Sequence, residues 1–107
     1  MLYKFKSKAA SDLIMTGAHG DAVLRGMGRE PAPKGIVQPE QMPAALAALE
    51  AAVEADEAER KRQDEEADAE GRPRPSREGV SFKQRAWPMI EMLRRAHAAG
   101  KDIVWGV

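Results

Sequence analysis

The sequence predicts an α+β domain: a small, mainly antiparallel sheet of three or four strands, with two long helices and one short helix packed on one face. Three observations lead there. The first six residues alternate apolar and basic; two later stretches repeat apolar residues every three or four positions; and Ile103, Val104 and Trp105 near the end are apolar and suited to a pleated surface. At 107 residues the chain has the size of one domain and no room for a second core, so residues 1–107 are read as a single unit.

In residues 1–6, Met1, Tyr3 and Phe5 fall on one side and Lys4 and Lys6 on the other, the period of a half-buried strand. Asp12 to Thr16 reads as a second strand, stopped by Gly17-Ala18-His19-Gly20, and the two are expected to pair as a hairpin. Asp21 is placed to cap a short helix that buries Val23, Leu24 and Met27 and ends at Gly28. After a Pro-rich loop, Ile36 and Val37 form a brief third strand.

A long helix should begin between Pro39 and Pro43, since proline tolerates a first helical turn. Its packed face is Met42, Ala45, Leu46, Leu49, Ala52 and Val53. Beyond Val53 only alanines remain for burial, so the helix is expected to run on exposed and fray before Gly71, and residues 62–79 are read as a charged, flexible segment. Ser81 and Gln84 fit a capping box that starts a second long helix, with Phe82, Ala86, Met89, Ile90, Leu93 and Ala96 inward. Pro88 should kink that helix or delay its regular part until after Trp87, and Gly100 should end it. Ile103 to Trp105 is then a terminal strand tied into the sheet.

Net charge is zero but unevenly spread. Glu50–Glu70 holds ten acids against three bases, and Gly71–Val107 eight bases against three acids, so the two blocks should attract. The N-terminus lacks the unbroken apolar stretch of an export signal, and no apolar run approaches the roughly 18 to 20 residues that cross a bilayer. A cytoplasmic setting without membrane contact is expected.

The chemistry on offer is sparse. The chain has no cysteine, which removes disulfides, thiolate metal ligands and a cysteine nucleophile. The acids of residues 50–70 lack a glycine-centred calcium loop, and no His-Glu-x-x-His pair exists for zinc, so no metal and no cofactor are expected. Gly26-Met27-Gly28 lacks the third glycine and the strand-to-helix setting of a phosphate fingerprint.

The candidate ligand-binding residues are His19, Arg29 and Lys34, with Asp21 beside them. A histidine between glycines reaches a cleft rim, and Arg29 and Lys34 bring positive charge to an anion. No catalytic residue is assigned, because nothing nearby in sequence completes a catalytic set. His97 reads as a helix-end residue, where the dipole favours its cation. Trp87 and Trp105 are expected mainly to fill the core, as are Met15, Met27, Met42, Met89 and Met92.

Residues 1–9, the Asp-Leu-Ile-Met of 12–15, the Glu-Pro-Ala-Pro-Lys-Gly-Ile of 30–36 and the ending Gly-Lys-Asp-Ile-Val-Trp-Gly-Val of 100–107 together resemble a small uncharacterised bacterial family, domain of unknown function 1840. The resemblance implies a full-length single domain in a bacterial cytoplasm and carries no activity, substrate or catalytic residue.

Three functional readings follow. The first is a non-enzymatic interaction or regulatory protein that binds a protein partner or itself through its helical face or a sheet edge. The second is a small ligand-binding domain or enzyme using His19, Asp21, Arg29 and Lys34, its small molecule left open. The third, disfavoured by the acidic block, is a weak nucleic-acid binder, which needs Lys4, Lys6, Lys8, Arg94 and Arg95 on one surface.

Overall fold

The computed structural model describes residues 2–77 and 81–107. In chain order the elements are β1 (Leu2–Ser7), β2 (Ala10–Thr16), α1 (Gly17–Gly26), β3 (Gly35–Val37), a 3-10 turn at Pro39–Gln41, α2 (Met42–Ala69), α3 (Phe82–Ala99) and β4 (Ile103–Trp105). This is the predicted α+β order. The strands form one antiparallel sheet in the order β2-β1-β4-β3, so the last strand of the sequence lies inside the sheet.

Strand alternation sorts the side chains by face. Tyr3, Phe5, Met15, Val37, Ile103 and Trp105 point inward and share one core with the apolar faces of the three helices. That core takes Val23 and Leu24 from α1, Met42, Ala45, Leu49 and Val53 from α2, and Ala86, Met89, Ile90, Leu93 and Ala96 from α3. Met1, expected inward with Tyr3, lies outside the described residues. The alternate residues point away from the helices: Lys4 sits opposite Ile14, and Val104 lies between Lys6 and Ile36. The five core-expected methionines are all buried.

Helix α2 has 28 residues, about 42 Å at 1.5 Å per residue, and accounts for most of the molecule's 51 Å long dimension. Past Val53 its apolar stripe ends and ion pairs take over: Arg60 with Asp56 at 3.1 Å, and Arg62 with Glu59 and Glu66, each at 2.6 Å. The chain then doubles back. The Arg72 N–H donates to the Ala67 carbonyl at 2.8 Å, and Arg74 pairs with Asp68 at 2.7 Å and Arg77 with Asp64 at 2.8 Å. Further along, Lys83 meets Glu57 and Arg94 meets Glu50, so the basic block does fold onto the acidic one. Arg62 holds the Glu59 carboxyl below its ordinary value, and Arg74 does the same for Asp68. Of the segment read as flexible, residues 62–69 belong to α2 and 72–77 to this return; Glu78 and Gly79 lie outside the described residues.

Two local expectations are corrected. Helix α1 begins at Gly17 with Thr16 at its N-cap, so Asp21 sits inside the helix and does not cap it. Tertiary packing decides the start: Gly20 lies against the ring of Tyr3, so close that a Cβ there would overlap the aromatic carbons. Helix α3 starts at Phe82 on its Ser81–Gln84 capping box and runs through Pro88 without a delay. The inward residues on either side of the proline, Ala86, Met89 and Ile90, are all buried, and that burial holds the helix across the missing hydrogen bond. Gly100, at φ 65°, ends α3 in the left-handed conformation.

Candidate functional site

The inward face of the sheet carries an aromatic row. The Tyr3 ring stacks on Phe5 at 5.6 Å, and Phe5 meets the edge of Trp105 at 5.5 Å. The ends of the row are tied to the chain around it. Tyr3 Oη donates to the Asp21 carboxylate at 2.5 Å, and Trp105 Nε1 donates to the Ala32 carbonyl at 3.0 Å. The bond to Asp21 and burial together raise the Tyr3 hydroxyl above its ordinary value of 10.0.

The sequence-predicted candidates fall around this row. His19 is half-buried in the first turn of α1, and Asp21, two residues on, is engaged by Tyr3. Arg29 donates to Gln41 Oε1 at 3.0 Å and lies 5.9 Å from the centre of the Trp105 ring. Lys34 is exposed on the connection to β3, against Gly106. Arg29 and Lys34 thus sit near Trp105, while His19 and Asp21 belong to α1. His97 is exposed in the last turn of α3 and borders a depression with Met42, Leu46 and Arg94. Trp87 corrects the expectation of burial: it is 50% exposed on α3, with the Arg94 guanidinium 5.8 Å from its ring. It lies on the outer side of the helix, one residue before the exposed Pro88.

Two surface features stand out once the ion pairs are accounted for. The first is the free edge of β2. This strand has seven residues, no proline and one charge, Asp12, which pairs with Lys4 across the sheet at 3.6 Å. The opposite edge, β3, has three residues and lies between Pro33 and Pro39. Beside β2, on the helix side, runs a groove lined by Leu13, Pro88, Glu91, Met92 and Arg95.

The second feature is a depression of about 420 Å³ where the end of β1 meets the entry to β4, lined by Lys6, Ser7, Lys8, Gly100, Lys101, Asp102 and Val104. Pairing of Lys6 with Val104 joins the two sides. Of the five bases weighed for nucleic acid, Lys4, paired with Asp12, lies with Lys6 on the outer face of β1 and Lys6 with Lys8 in this depression, whereas Arg94, paired with Glu50 and Glu91, and Arg95, beside the β2 groove, belong to α3. Among the described residues there is no cluster of three or more metal-ligating side chains, and no helix is long and apolar enough to cross a membrane.

A family model described as a domain of unknown function, DUF1840, matches residues 1–105. The chain belongs to the DUF1840 family. No curated protein and no solved structure matches it. Within this DUF1840 chain, sequence reasoning weighed Lys6 and Lys8 but missed Ser7, Lys101 and Asp102 as their neighbours. Only the placement of β4 beside β1 brings the two ends of the sequence together, and no local pattern announces that pairing.

Proposed function

We propose that the protein is a non-enzymatic interaction protein whose partner is a second copy of itself, joined edge to edge along β2. The observation that carries this reading is the contrast between the two edges of the sheet. An edge strand presents a row of unpaired backbone groups, and proteins blunt such edges with short length, proline or charge. Strand β3 is short and has prolines on either side of it, at 33 and 39, whereas β2 is long, has no proline within it, and has its one charge engaged by Lys4. Ile14, 60% exposed, lies on the same strand.

A two-fold antiparallel pairing with Ile14 opposite Ile14 of the second copy sets Asp12 opposite Thr16 and Leu13 opposite Met15, which keeps like charges apart. On the helix side it brings together two grooves, each with a carboxylate at Glu91 and a guanidinium at Arg95 four residues on. Arg95 has no ion-pair partner among the described residues, and a two-fold axis would bring to it the Glu91 of the other copy, which in its own chain pairs with Arg94 at 3.1 Å. The absence of cysteine fits a reducing compartment, and we place this role in a bacterial cytoplasm.

Sedimentation velocity across a dilution series tests the reading. A dimer is expected, with dissociation roughly tenfold or more easier in Ile14→Lys, an exposed position that leaves the fold intact. A chain that stays monomeric at every concentration, or a dimer indifferent to both Ile14→Lys and Arg95→Glu, refutes it.

A further inference from the structure

We infer that the depression between the end of β1 and the entry to β4 binds a small ligand carrying phosphate groups, of the diphosphate class. Unpaired positive charge gathers there. Of the seven lysines, Lys4, Lys61 and Lys83 are ion-paired; of the four that have no carboxylate partner among the described residues, Lys6, Lys8 and Lys101 line this one depression. They come from opposite ends of the sequence. The β1–β4 pairing and the left-handed turn at Gly100 bring them together.

Ser7 adds a neutral donor. Its Oγ accepts the Ala9 N–H at 3.2 Å, which orients the hydroxyl and leaves its proton free to donate. Asp102 contributes the one carboxylate on the wall, so the lining is net positive by two charges.

The kind of anion follows from the kind of donor. The two-pronged arginine fork pairs with carboxylates and phosphates alike, and no arginine lines the depression, so recognition there rests on ammonium charge. Ammonium groups bind phosphate as rotatable point charges, so a cluster of three of them favours an anion that concentrates more than one negative charge. A volume of about 420 Å³ lies in the range of small-molecule sites and exceeds what a single phosphate fills. A nucleic-acid backbone needs a longer track of bases, and this one is interrupted at Lys4 by Asp12.

The test is a titration of the full chain with inorganic pyrophosphate, free of divalent metal and at constant ionic strength, followed by ¹H–¹⁵N NMR. Saturable shifts are expected at Ser7, Lys8, Lys101 and Asp102. Lys8→Glu with Lys101→Glu should weaken binding by roughly tenfold or more, while Asp102→Asn should tighten it, a gain that a merely structural residue would not give. Lys61→Glu, on the far arm of α2, should change nothing. Shifts that never saturate, that persist in the double variant, or that weaken in Asp102→Asn overturn the proposal. So does association with vesicles containing phosphatidic acid without saturable pyrophosphate binding, which would assign the lysines to a lipid surface.

Discussion

The hydroxyl of Tyr3 donates to the carboxylate of Asp21 at 2.5 Å, fastening the start of β1 to the first half of α1. Tyr3→Phe keeps the ring stacked on Phe5 but removes the donor, and is expected to lose about 1.5 to 3 kcal/mol, the range for a hydrogen bond to a charged group. The same bond makes stability sensitive to alkali. Because the folded Tyr3 hydroxyl titrates above 10.0, its contribution is complete below pH 10 and is lost as pH rises through the higher folded value. Urea unfolding at stepped alkaline pH should show this loss in the native chain and a flatter dependence in Tyr3→Phe.

Gly20 is expected to resist substitution because of what lies beside it, the Tyr3 ring, since its own backbone is helical. A methyl group there would enter the space of the Tyr3 ring, so Gly20→Ala must move either β1 or α1, with a loss of about 1 to 3 kcal/mol or more. Thermal unfolding should show a clear drop in Tm. A Tm equal to that of the native chain would mean that α1 does not lie this close to the sheet.

The two tryptophans should behave as opposites. Trp105, 2% exposed and bonded to the Ala32 carbonyl, is expected to cost about 3 to 5 kcal/mol on replacement by alanine. Trp87→Ala, at a half-exposed position, should stay within about 0.5 kcal/mol of the native chain. Denaturant titration checks both, and the fluorescence of Trp105→Ala should be that of an indole in contact with water.

The outer half of α2 is held by charge rather than burial, and should therefore respond to acid. Glu59 and Asp68 titrate below their ordinary values of 4.5 and 3.8 because Arg62 and Arg74 favour the carboxylates. Their contribution is complete above those values and is lost as pH falls through the lower folded ones. Helical signal in circular dichroism should decline over that acid range while the near-ultraviolet signal of Trp105 persists. At neutral pH, limited proteolysis is expected to cut first within residues 62–79; first cuts in 1–16 or 100–107 would count against this division between core and arm.

Much of this fold was readable residue by residue. The alternation of Tyr3 and Phe5 with Lys4 and Lys6, the stripe from Met42 to Val53, the Ser81–Gln84 box and the stop at Gly100 are local patterns, and each appears where the spacing places it. The misreadings have tertiary causes. Asp21 looks like a cap until Tyr3, 18 positions earlier, claims its carboxylate, and Pro88 looks like a place to delay the helix until burial on both sides carries α3 through it from Phe82. Trp87 shows the limit of composition, since scarcity of aromatic residues does not put each one in the core. The lysine-lined depression was invisible for another reason: its walls lie about a hundred residues apart, and strand order is not written in any window of sequence.

That strand order also sets a timetable for synthesis. The hairpin β1–β2 and the short strand β3 emerge early, yet they do not touch, because the place between them belongs to β4. Until residues 103–105 leave the ribosome, Phe5 lacks its Trp105 neighbour and the helices have an incomplete floor to settle on. Closing so long a loop is slow compared with forming a hairpin or a helix. The nascent chain therefore carries a gap in its sheet until residue 105 is made, and a strand from another chain has that whole interval in which to fill it.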